Sequence, residues 1–77
     1  MTFGEQLREW RRRRFLTQKE LAAQLGVTWQ TVSRWEGDQG IPYPATQRRL
    51  VEALQVDPGE FFEALKSAEE RKGKAAA

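Results

Sequence analysis

Thr17-Gln-Lys-Glu-Leu-Ala-Ala-Gln-Leu-Gly-Val-Thr-Trp-Gln-Thr-Val-Ser-Arg-Trp-Glu36 is the stretch whose reading decides the fold. It opens on a capping box, since Thr17 has Glu20 three residues on, so a hydroxyl and a carboxylate each satisfy an orphan amide. Leu16 and Leu21 are spaced to staple that start. The helix so begun ends near Gln24, and Gly26 is the residue expected in a left-handed conformation after it. A second start follows at once, with Thr28 as cap and Val27 and Val32 as staple. That helix, 28–36, buries one stripe and turns Trp29, Gln30, Ser33 and Arg34 outward. Leu21, Leu25, Val32 and Trp35 hold the two helices together, and Ala22 lets them approach closely.

Working outward, Thr2-Phe-Gly-Glu5 is another capping box, and Phe3, Leu7 and Trp10 recur at helical spacing, predicting a first helix near 3–13. Gly37-Asp-Gln-Gly40 is turn chemistry that stops the third helix near Glu36. Pro44 opens a fourth helix to about Leu54, with Leu50 and Leu54 inward. Val56-Asp-Pro-Gly-Glu60-Phe61 opens a fifth, whose buried side is Phe61, Phe62 and Leu65. No stretch alternates as a strand does, so the expected fold is all-α, a compact five-helix bundle around a central helix-turn-helix. The expected organisation is one domain over 1–66 and a charged, frayed tail over 67–77 that offers no core.

Thr2, Thr17 and Asp57 each have a glutamate three residues on, but Thr28 has Thr31. A first-turn carboxylate complements the helix dipole, and its absence leaves the positive end of the third helix open to an external anion such as phosphate. The charge distribution points the same way. From Arg8 to Arg49, nine basic residues face four acidic ones, a net +5, whereas the flanks carry −3. A basic body with an acidic last helix is the asymmetry of a polyanion-binding domain.

Other classes are disfavoured. With 77 residues, no cysteine and no histidine, the chain has no thiolate or imidazole metal ligand and no ordinary neutral-pH base. A bundle this small has no room for a water-excluded cleft, so neither an enzyme nor a cofactor is expected. No apolar run is long enough to span a membrane, no signal peptide is evident, and a cytoplasmic, nucleoid-associated location is expected.

Arg11, Leu16-Thr17-Gln18, Glu20-Leu21-Ala22, Leu25-Gly26-Val27-Thr28, Thr31-Val32-Ser33-Arg34-Trp35-Glu36, Pro42 and Phe61-Phe62 together closely resemble the lambda-repressor-like family, the Cro and phage repressor or xenobiotic response element type. The resemblance covers 3–65. It implies sequence-specific binding of double-stranded DNA, usually by a homodimer on a palindromic operator, in a transcriptional regulator of repressor type. Gln18 matches the family's glutamine that contacts phosphate and braces the next helix; Thr28 matches its cap. Trp29, Gln30, Ser33 and Arg34 match positions that face base edges, where Gln30 suits adenine and Arg34 guanine. With Thr17, Thr31 and Gln39, these make up the expected DNA-binding set. Trp29 packs on a thymine methyl or sugar, folds back on the second helix, or joins a protein interface.

Arg11 and Glu36 resemble the family's structural ion pair; Arg11 borders the Phe3–Leu7–Trp10 face, so its desolvated guanidinium needs a partner. One departure is Gly37-Asp38, where the family has Asn or Arg and then Gly. Aspartate accepts a left-handed conformation less readily, and an acid there lies near the expected phosphate path, although backbone amides of 37–40 remain candidate phosphate donors. Phe61, Phe62 and Leu65 are the candidate dimer surface, or else simply close the monomer core. The alternative function is an antitoxin or adaptor whose main partner is a protein such as a toxin.

Overall fold

A computed structural model describes the backbone of residues 1–76 and the side chains of residues 1–70. The chain order is α1 (Phe3–Arg13), α2 (Gln18–Leu25), α3 (Trp29–Glu36), α4 (Pro44–Leu54) and α5 (Pro58–Ala76), with no strand among the described residues. Each start obeys its local signal. Thr2 and Thr17 form complete capping boxes with Glu5 and Glu20; Asp57 Oδ2 accepts the Glu60 N–H at 3.1 Å; α4 begins on Pro44, with no side-chain cap from Tyr43.

The ends are less ordinary. Gly26 closes α2 at φ 74°, as expected, but Phe15, Asp38 and Gln55 also adopt positive φ, at 56°, 59° and 54°. After α1, Phe15 N–H donates to Arg12 O and Leu16 N–H to Arg11 O; after α3, Asp38 N–H donates to Trp35 O and Gln39 N–H to Arg34 O. Both pairs are the two bonds of a Schellman motif, in which glycine is the usual left-handed residue. Phe15 occupies that position while 93% exposed.

The core joins all five helices. Phe61 meets Phe3 edge-on at 5.7 Å and stacks on Trp10 at 5.9 Å, so α1 is the plate on which α5 packs. On its other side α1 packs against α3, while α2 lies against α3 and α4. The α1–α3 contact is backbone on backbone: a Cβ at Gly4 would run into the carbonyls of Trp35 and Glu36. Leu21, Leu25, Val32, Leu50 and Leu54 fill the remaining interior.

Packing decides between the two expected uses of the apolar residues of α5. Phe61 and Leu65 are buried in the monomer core, so of the three residues assigned to a dimer surface only Phe62, 56% exposed, is available. α5 continues past residue 66, and Ala68 packs on the core. The rest of the expected tail, from 71, lies outside the described side chains.

Candidate nucleic-acid interface

The outer face of α3 follows from its burial. Val32 and Trp35 are buried, Trp29, Gln30 and Arg34 are exposed, and Ser33 is half-buried. Neither Gln30 nor Arg34 has a side-chain partner among the described residues, so both hydrogen-bonding ends are directed to solvent. Trp29 is 43% exposed.

Thr31 fills the place where α1 and α2 carry glutamate. Thr28 Oγ1 accepts the Thr31 N–H at 3.3 Å, and the two hydroxyls lie 2.9 Å apart. The start of α3 is therefore capped by neutral groups, and its dipole end carries no acid. Beside it, a groove of ≈ 450 Å³ runs between α3 and the start of α4, lined by Thr31, Arg34, Gln39 and Tyr43 among others. Thr17, by contrast, is engaged in its own box: Oγ1 accepts from Glu20 N at 3.0 Å, and Glu20 Oε1 accepts the Thr17 N–H at 2.8 Å.

Behind this face lies a hub on the Glu36 carboxylate, whose side chain is fully buried. Arg11 donates from Nε to Oε2 at 2.6 Å and from Nη2 to Oε1 at 3.1 Å. Its Nη1 reaches Leu16 O at 2.8 Å, tying the α1–α2 corner to the same group. Gln18 Nε2 donates to Oε1 at 3.1 Å, and Arg8 Nε to the same oxygen at 3.4 Å. Burial pushes the Glu36 carboxyl upward, but the bonds from Arg11 and Gln18 together with the charge of Arg11 outweigh it and hold the group below its ordinary value. Gln18 is thus braced directly against the end of α3.

In the turn after α3, three of the four candidate phosphate-donating amides have acceptors within the protein. The N–H groups of Gly37, Asp38 and Gln39 close α3 by donating to Ser33, Trp35 and Arg34, so these amides are engaged inside the protein. Gln39 keeps an exposed side chain along the groove. Asp38 has a different task, since its Oδ1 accepts the Gly4 N–H at 2.9 Å, serving the positive end of α1 across the α1–α3 contact. Nothing in the local sequence signals that bond, which spans 34 positions. The roles of Arg8 and of Arg49, whose Nη1 donates to Leu25 O at 3.3 Å at the end of α2, escaped sequence reasoning for the same reason.

Residues 2–65 match the family model described as a helix-turn-helix domain. The chain is 48% identical over 56 residues to the HTH-type transcriptional repressor RghR of Bacillus subtilis (strain 168), covering 71% of this chain and 42% of that protein. It is 47% identical over 55 residues to the uncharacterized HTH-type transcriptional regulator RghRB of the same strain, covering 70% of this chain and 40% of that one. The chain therefore spans about two fifths of the length of these curated relatives. No solved structure matches it significantly. With two capped helices locked through Glu36 and a family match across all five, the chain belongs to the helix-turn-helix domain family.

Proposed function

We propose that this chain binds double-stranded DNA sequence-specifically as the reading domain of a transcriptional regulator, a repressor, with α3 in the major groove. The observation that carries this is the outer face of α3, where Gln30 and Arg34 present unpaired side chains on a helix whose other side is buried. Gln30 offers the amide pattern that adenine accepts, and Arg34 the fork that matches guanine. Ser33, Thr31 and Trp29 border them. Thr28, Gln18, Thr17 and Gln39 flank the face, where phosphate contacts set register and carry no sequence information themselves.

A single α3 reads only a few base pairs, so a homodimer on a palindromic operator is part of the proposal, its half-sites about 34 Å apart. Phe62 is the residue of α5 available to such an interface. The relatives' names support a regulator and give no support to the antitoxin or adaptor reading. No helix among the described residues is long and apolar enough to cross a membrane; a cytoplasmic place on the nucleoid follows from the proposed ligand.

The test is selection of bound duplexes from a random pool. A palindromic consensus is expected, and Gln30→Ala and Arg34→Ala are expected to relax it at different positions, each by about 1–3 kcal/mol of discrimination. An identical consensus for both variants and the wild type overturns the assignment.

A further inference from the structure

We propose that Arg8, on α1, forms with Gln18 a binding notch for one phosphate of the DNA backbone, held in place by Glu36. This rests on the DNA-binding reading above and adds to it a contact from outside the helix-turn-helix.

Arg11 alone meets both Glu36 oxygens, and with its side chain only 11% exposed it neutralises that carboxylate inside the protein. Arg8 is a second cation on the same carboxylate, so the three side chains Arg8, Arg11 and Glu36 together carry one positive charge in surplus. Glu5 and Asp38 keep their negative charges but are oriented by backbone amides and not by Arg8: Glu5 accepts the Thr2 N–H and Asp38 the Gly4 N–H, each at 2.9 Å. Among the described residues Arg8 has no ion-pair partner but Glu36. One turn further along α1, Arg12 adds a like charge and no compensation.

Arg8 gives Glu36 only its Nε, at 3.4 Å, and its side chain is 52% exposed. Both terminal NH₂ groups are left over, the two that a phosphate takes in a bidentate contact. Gln18 Nε2 hangs on the same oxygen, Oε1, at 3.1 Å. That bond fixes the amide flip, because a carboxylate accepts only from the NH₂ side, and leaves Gln18 one further N–H. Two donor groups are therefore hung on one buried oxygen with their spare hydrogens free. The backbone N–H groups of Gln18 and Lys19, the first two of α2, have no intrahelical acceptor and lie at the same corner. The ligand such an arrangement recognises is a singly charged phosphodiester.

The experiment measures duplex binding of the whole chain across a salt series for wild type, Arg8→Gln, Arg8→Lys and Arg48→Gln, with thermal unfolding of each. Removing one phosphate contact reduces the slope of log K against log salt by about 0.9. The ratio of wild-type to Arg8→Gln affinity is then expected to grow about eightfold for each tenfold drop in salt. Arg8→Lys keeps most of the slope, the selected consensus is unchanged, and Arg8→Gln melts close to wild type. An unchanged slope in Arg8→Gln overturns the proposal, as does a marked loss of thermal stability, which makes Arg8 a structural member of the hub. An equal slope change in Arg48→Gln, which removes an exposed charge on α4, overturns it too by reducing the effect to net charge. Absence of any duplex binding by the wild type overturns both this notch and the reading it rests on.

Discussion

Glu36 is where a single side chain decides most. Its buried carboxylate takes donors from α1 and α2, so truncation leaves Arg11 desolvated without an anion. Glu36→Ala is expected to cost about 3–5 kcal/mol, read from the urea midpoint, a large share of what a domain this small possesses. Asp38 is the second residue of consequence. Asp38→Ala removes the acceptor of the Gly4 N–H while keeping the left-handed backbone, and is expected to cost about 1–2 kcal/mol. Asp38→Asn keeps an acceptor and suits that backbone better, so its unfolding midpoint should match or exceed the wild type's. At this scale the sequence was legible only where partners are near neighbours or where the family resemblance supplied them. The Arg11–Glu36 pair was anticipated from the resemblance; the Asp38–Gly4 bond was not, because only the finished α1–α3 contact brings the two together.

Helix starts were the most readable elements, since a capping box is written within four residues and needs no tertiary structure. Thr2, Thr17, Thr28 and Asp57 all cap as their spacing predicts. Helix ends were read well only where glycine marks them. The end of α1 carries Phe15 in a left-handed conformation that costs an ordinary residue about 1–2 kcal/mol. Phe15→Gly is therefore expected to raise the melting temperature by several degrees, offset in part by the added freedom of the unfolded chain. A lower melting temperature instead would mean that the exposed ring contributes packing. Gly4 is the converse case within α1. Gly4→Ala improves intrinsic helix propensity but drives a methyl into the carbonyls of Trp35 and Glu36, and thermal unfolding should show a loss of about 1–3 kcal/mol.

Taken as a whole, the molecule places α1 between α3 and α5, with the surplus of basic residues lying between Arg8 and Arg49, whereas α5 carries four acidic and four basic residues and is neutral. The five-helix architecture was legible because every element carries its own start signal. The division of α5 between core and surface was not, because Phe61, Phe62 and Leu65 are equally apolar and only packing on Trp10 and Phe3 tells them apart. Stability should respond to acid through Glu36. Its folded pKa is lowered, so its contribution is complete above the unfolded carboxylate value of about 4.3. That contribution is lost as pH falls through the lower folded value. The difference in melting temperature between wild type and Glu36→Gln should accordingly be constant near neutrality and shrink in acid; a difference independent of pH would show that charge is not what Glu36 supplies. Finally, the chain has three tryptophans of unequal access: Trp10 and Trp35 are 3% and 6% exposed, Trp29 43%. A dissolved quencher such as acrylamide thus reaches one indole and spares two, so intrinsic fluorescence works as an unlabelled optical probe of the outer surface of α3, dimming in free protein and shielded when that surface is covered.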